Sequence, residues 1–111
     1  MPSPAKPDLL QGTLDLLVLQ TLSLEPAHGW AISQRIRQVS GGTFAVNQGS
    51  LYPALHRLEH KGWLTSEMGA ADNNRQVKIY KLTRLGHSQL AAEKENWNRV
   101  IAGMARILEA T

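Results

Sequence analysis

In the stretch HRLEH, two histidines lie four residues apart with a glutamate between them: His56, Glu59 and His60. On a helix such a pair points one way, and the pattern is that of zinc hydrolases in which both imidazoles bind the metal and the carboxylate activates water. That chemistry also needs a third protein ligand from another segment and a cleft for substrate. His28 and His87 stand at a turn and at the start of the last helix, where nothing aligns them with the pair. A five-letter motif without its context weighs little, and both histidines read as solvated or partner-facing groups on a helix surface.

The chain has 111 residues, enough for one domain and a modest core, but too few for a catalytic barrel or a doubly wound sheet around a cofactor. No cofactor or metal is expected. Its 42% hydrophobic and 19% charged residues place it among ordinary folded proteins and away from disordered tails. With no cysteine, disulfides, thiolate metal sites and thiol redox chemistry are excluded. The opening MPSPAKPD has no apolar run behind it, and Leu14 to Leu24 is short and interrupted by polar residues, so neither a signal peptide nor a membrane span is expected. The chain reads as cytoplasmic. Net charge is only +3, yet between Arg35 and Arg84 eight basic residues face three acidic ones. That distribution suits an anionic partner, and equally an evenly solvated surface.

The elements that must position these residues follow from periodicity. Residues 1–8, with Pro2, Pro4 and Pro7, are expected to form a flexible arm. A first helix is predicted over Leu9–Leu24, with Thr13 as candidate N-cap and apolar residues on nearly every side. Pro26 and Gly29 interrupt the chain before a second helix whose inward face is marked by Trp30 or Ile32, Ile36 and Val39. Ser40 to Gly42 ends it, and Thr43 to Val46 reads as a brief strand. A third helix runs from Asn47–Ser50 to about Lys61, with Leu51, Leu55 and Leu58 as core stripe and Gly49, Pro53, His56, Arg57 and His60 opposite. Pro53 argues that its first turn is irregular or that it starts late. Gly62 suits the position just after its end. Trp63–Met68 and Gln76–Leu82 read as a hairpin, and Trp30 and Trp63 as core. Thr83 should cap a last helix running to about Ala110, where Leu90, Trp97 and Met104 alternate with Lys94, Ile101 and Leu108 in a heptad seam. So wide an apolar face on a terminal helix points to a dimer contact.

This order of elements is a mainly α, α+β fold: a winged helix-turn-helix with a C-terminal dimerisation helix. Four stretches, LQGTLDLLVLQTL, HGWAISQRI, GSLYPALHRLEHKGWL and KIYKLTRLG, together resemble the PadR family of bacterial transcriptional regulators, in its short form with a single C-terminal helix. Beyond the proline-marked arm at 1–8, the resemblance implies a DNA-binding domain at 9–83 and a dimerisation helix at 84–111. It further implies a non-enzymatic regulator, usually a repressor, that binds a near-palindromic double-stranded operator as a homodimer and is released by a small aromatic effector in several members. Two departures stand out: Trp30 replaces a frequent tyrosine, and the wing sequence GAADNNRQV is less basic than in many members.

On that reading Gln48, Gly49 and Ser50 start the recognition helix, where glutamine can pair with adenine, glycine permits close approach and serine bonds to bases or phosphates. The alternative is that these residues only cap and turn the chain. Tyr52 offers a hydroxyl to phosphate or a ring to packing. His56 and Arg57 lie further along the outward face, although Arg57 can instead pair with a carboxylate of its own domain. Arg75 and Lys78 flank the hairpin turn as phosphate contacts, and Ser33 and Gln34 are weaker candidates for backbone contact. Leu14, Leu17, Leu90, Trp97, Ile101, Met104 and Leu108 are the expected dimer interface, with Trp97 either filling its core or stacking on a flat aromatic ligand. A winged helix that docks a protein partner without specific DNA binding is the alternative function.

Overall fold

The computed structural model describes residues 7–110, with side chains from residue 13 onward. Four helices and a three-stranded antiparallel sheet follow in the order α1 (Pro7–Leu24), β1 (Ala27–His28), α2 (Gly29–Val39), α3 (Gln48–His60), β2 (Leu64–Ala70), β3 (Gln76–Leu82) and α4 (Arg84–Glu109). Most of the arm expected at 1–8 lies outside the described residues, but Pro7 and Asp8 already belong to α1. Proline is at home there because the first helical N–H has no partner to lose. Thr13, expected as the cap, is therefore inside the helix.

The sheet order is β1-β3-β2. The hairpin runs in register from Leu64 opposite Leu82 to Ala70 opposite Gln76, and Ala27 and His28 pair with Tyr80 and Ile79. The third strand is thus Ala27–His28, and the strand expected at Thr43–Val46 does not form. That segment has no ladder to join; Phe44 and Val46 instead turn partly inward against the core.

Helix ends are set by local chemistry. Gly41 and Gly42 donate to the Gln38 and Arg37 carbonyls, and Gly62 and Trp63 donate to those of Glu59 and Leu58, so α2 and α3 both end in Schellman motifs. Gly41 and Gly62 have φ of 63° and 81°, which glycine adopts without strain. Pro53 neither breaks nor delays α3. It lies on the exposed side, as does Gly49, so the carbonyl left without a donor is open to solvent.

Leu51, Leu55 and Leu58 fill the core from α3, meeting Val18 and Leu19 of α1, Ile32 and Ile36 of α2, Leu64, Tyr80 and Leu82 of the sheet, and Leu90 of α4. Trp63 packs partly against this cluster, but Trp30 and Val39 do not: they are 60% and 80% exposed. Trp30, expected in the core, stacks instead on His28 with ring centroids 6.5 Å apart. Val39 sits in the last turn of α2, beyond the reach of the core.

The start of α4 is fastened tightly to the hairpin. Thr83 accepts the Gly86 N–H at 3.0 Å, donates its hydroxyl to the Gly62 carbonyl at 2.6 Å, and donates its own N–H to the Trp63 carbonyl at 3.0 Å. A side chain at Gly86 would put Cβ 2.1 Å from that same Trp63 oxygen, so only glycine fits. Beyond Leu90 the helix leaves the body. Ile101, Met104, Ile107 and Leu108 are between 56% and 80% exposed.

Candidate nucleic-acid interface

Asn47 caps α3 with its side-chain oxygen, which accepts the Ser50 N–H at 2.8 Å. From that start Gly49, Pro53, His56 and His60 recur at helical spacing on one exposed face, with Ser50 beside them, opposite the buried Leu51, Leu55 and Leu58. This face is uncovered by any other part of the described chain.

The other residues expected to work beside it are held from behind. Gln48 is half-buried and donates its amide to the Ser33 hydroxyl at 2.9 Å. Tyr52 is partly exposed, its ring tip so close to the start of α2 that a Cβ on Gly29 would lie 2.7 Å from the hydroxyl. Arg57 forms a half-buried ion pair with Asp15 of α1 at 2.6 Å, the internal partner that sequence reading had left open. Lys78 lies 3.5 Å from the Glu59 carboxylate and 5.5 Å from the centre of the Tyr80 ring. Arg75, by contrast, is exposed at the hairpin tip and makes no ion pair among the described residues. Asn74, in the left-handed region at φ 65°, and the Asn73 side chain, which accepts the Arg75 N–H, shape the turn beneath it.

Electrostatics reinforce these ties. The Ser66 hydroxyl, donating to Glu59 at 2.7 Å, and the Lys78 ammonium hold the Glu59 carboxyl below the ordinary carboxylate range, against the opposing effect of burial. Burial pushes the Tyr80 phenol up. Glu59 is therefore engaged with the hairpin, and among the described residues no group of three or more His, Cys, Asp or Glu side chains could hold a metal ion.

Ser33, expected as a backbone contact, is buried with 6% exposure. Gln34 lines an open cleft of about 240 Å³ with Arg37, Ala45, Val46 and Asn47. Arg37 joins it from outside the expected set: its place on the outer face of α2 is legible in the sequence, but the cleft beside the α3 start is not. Of the expected dimer residues, Leu14 and Leu90 are buried in the chain's own core and Leu17 packs partly against it. The apolar area of Leu14 and Leu90 is already spent, so these two have little left to offer a second chain, while Leu17 keeps part of its surface open. Trp97 is half-buried, and Ile101, Met104 and Leu108 are open. No described helix is long and apolar enough to cross a membrane.

An α2–turn–α3 unit backed by α1 and flanked by a hairpin is a winged helix-turn-helix. The model of the PadR-like family of transcriptional regulators matches residues 18–92. A transcriptional regulator of Mycobacterium tuberculosis is 33% identical over 79 residues, 71% of this chain and 70% of its own. The crystal structure of a PadR-like transcriptional regulator from Bacillus cereus superposes with a TM-score of 0.81 at 25% identity, covering 95% of this chain and 100% of the other. A PadR-family regulator of Eggerthella lenta gives 0.76 at 31% identity, covering 94% and 88%. The chain belongs to the PadR-like family, whose members are transcriptional regulators and not enzymes.

Proposed function

We propose that this regulator is a cytoplasmic, homodimeric DNA-binding repressor that seats α3 of each protomer in the major groove of a near-palindromic operator. The observation that carries this reading is the bare outward face of α3, with Gly49, Ser50, His56 and His60 exposed. A hydroxyl and two imidazoles supply both donors and acceptors, the vocabulary that base edges in the major groove require, while glycine lets the backbone come close. The N-terminus of α3 attracts phosphate, and Arg75 at the wing tip meets the neighbouring backbone. A second protomer covers the exposed apolar half of α4, and two-fold pairing sets the recognition helices about 34 Å apart, one turn of DNA. A flat aromatic effector stacked between the paired Trp97 side chains would alter that spacing and release the operator.

One observation favours the protein-docking alternative: Arg57 and Lys78 are already in ion pairs, which leaves few free cations around α3. A fluorescence-anisotropy titration against DNA from immediately upstream of the gene, beside a shuffled duplex and at two salt concentrations, separates the readings. The DNA reading expects tighter binding to the native fragment, with a log–log salt slope of about −0.9 for each phosphate neutralised. Indifference to salt would replace it with a protein partner; equal affinity for both duplexes would mean that the operator lies elsewhere or that the fold serves a protein partner, a choice that a genome-wide pull-down makes.

A further inference from the structure

We propose that Gln48 does not read a base but forms, with Ser33, a positioning latch that holds the first turn of α3 against α2. This rests on the reading that α3 enters the major groove. A glutamine that recognises adenine needs both ends of its amide free, the oxygen to accept from the 6-amino group and the nitrogen to donate to N7. Here neither end can reach a base, one being bonded and the other buried. The Gln48 Nε2 donates to the Ser33 Oγ at 2.9 Å, and the Gln48 Oε1 is buried with no hydrogen-bond partner.

Ser33 is equally committed. Its hydroxyl proton goes to the Trp30 carbonyl at 2.9 Å while its oxygen receives the Gln48 amide, so the two helices are joined through a buried oxygen. Capping does not explain the arrangement, because Asn47 already caps α3 through the Ser50 N–H. Turning Gln48 inward leaves Gly49 and Ser50 as the first outward residues of the helix. The latch therefore fixes the depth and angle at which those two approach base edges, and base recognition falls to them and to the histidines further along.

The test starts from the duplex that the wild-type protein enriches from a random-sequence library. Affinity for this duplex, for a set with each base pair changed singly, and for a shuffled duplex is measured with wild type, Ser33→Ala, Ser33→Thr, Gln48→Met and the Ser33→Ala/Gln48→Met double variant, alongside thermal melts. Ser33→Ala and Gln48→Met should each weaken specific binding by roughly three- to tenfold, the worth of one hydrogen bond. The double variant should be no worse than the poorer single one, because both changes break the same link. Ser33→Thr, which keeps the hydroxyl, should restore affinity, and no variant should alter which base pairs are preferred. If Gln48→Met relaxes the preference at one operator position while Ser33→Ala is silent, Gln48 reads a base and the latch falls, with the groove reading intact. Losses that follow unfolding in the melts, with Ser33→Thr no better, reduce the contact to packing and also overturn the latch. Failure of the wild type to enrich any sequence overturns the groove reading itself, and the latch with it.

Discussion

Glu59 sits where a hydrolase would keep its general base, yet its carboxylate accepts from Ser66 and pairs with Lys78, tying α3 to both strands of the hairpin. Because these partners favour the charged form, the contact contributes stability above the ordinary carboxylate pKa of about 4.3. That contribution is lost as pH falls through the lower value of the folded protein. Glu59→Gln should therefore cost up to about 1 kcal/mol at pH 7, a modest sum because the pair is partly solvated. The gap between variant and wild type should narrow as pH falls below the ordinary carboxylate value and through the lowered one. Urea unfolding over a descending pH series from 7 checks this, and a gap that stays constant down to acid unfolding would show that charge plays no part. Arg57 is the companion case on the other side of α3. Its partner Asp15 comes from 42 residues earlier, a choice that packing makes and local sequence does not.

At the scale of elements, the joint between hairpin and α4 decides where the last helix points. Gly86→Ala forces a methyl group onto the Trp63 carbonyl and should cost about 3 kcal/mol, at the high end for overpacking because backbone must move. Thr83→Ala removes an N-cap and should cost about 1 kcal/mol. Denaturant midpoints rank the two; a silent Gly86→Ala would mean that α4 shifts freely, against the tight fastening seen here. The Thr83 cap was legible in sequence because a cap is local, and so was the Leu51, Leu55, Leu58 stripe, because one helix face records its own burial. The same logic made Gly49, Pro53, His56 and His60 legible as an outward set, whereas Arg57, expected among them, is drawn aside by Asp15. It could not reveal β1, whose two residues are too few for any period and whose pairing belongs to the edge of β3. Nor could it tell Trp30 from a core residue, since hydrophobicity alone does not say that a first-turn side chain has nothing to pack beneath. Gln48 and Lys78 looked available for the same reason: their partners Ser33 and Glu59 reach them only after the chain has folded.

For the molecule as a whole, the proposed dimer turns on an imbalance between the two halves of α4. Its first turns give Leu90 to the core, while Ile101, Met104, Ile107 and Leu108 stay in water. Burying such a side chain fully contributes about 1.5–3 kcal/mol, and four on each of two chains offer a strong drive to associate, against the entropy lost in joining them. Charging the seam with Met104→Lys and Leu108→Lys should thus convert a dimer to a monomer without unfolding the winged domain, whose core lies elsewhere. Light scattering should show the mass halved, and the melting temperature of the wild type alone should rise with protein concentration. Operator affinity should drop by a hundredfold or more, on the order of what is lost when two linked half-sites must be bound separately. A doubly charged variant that remained dimeric would move the interface away from α4. One that became monomeric yet kept full operator affinity would leave the dimer standing but remove the two-fold reading of DNA, because a single α3 would then carry the whole of recognition.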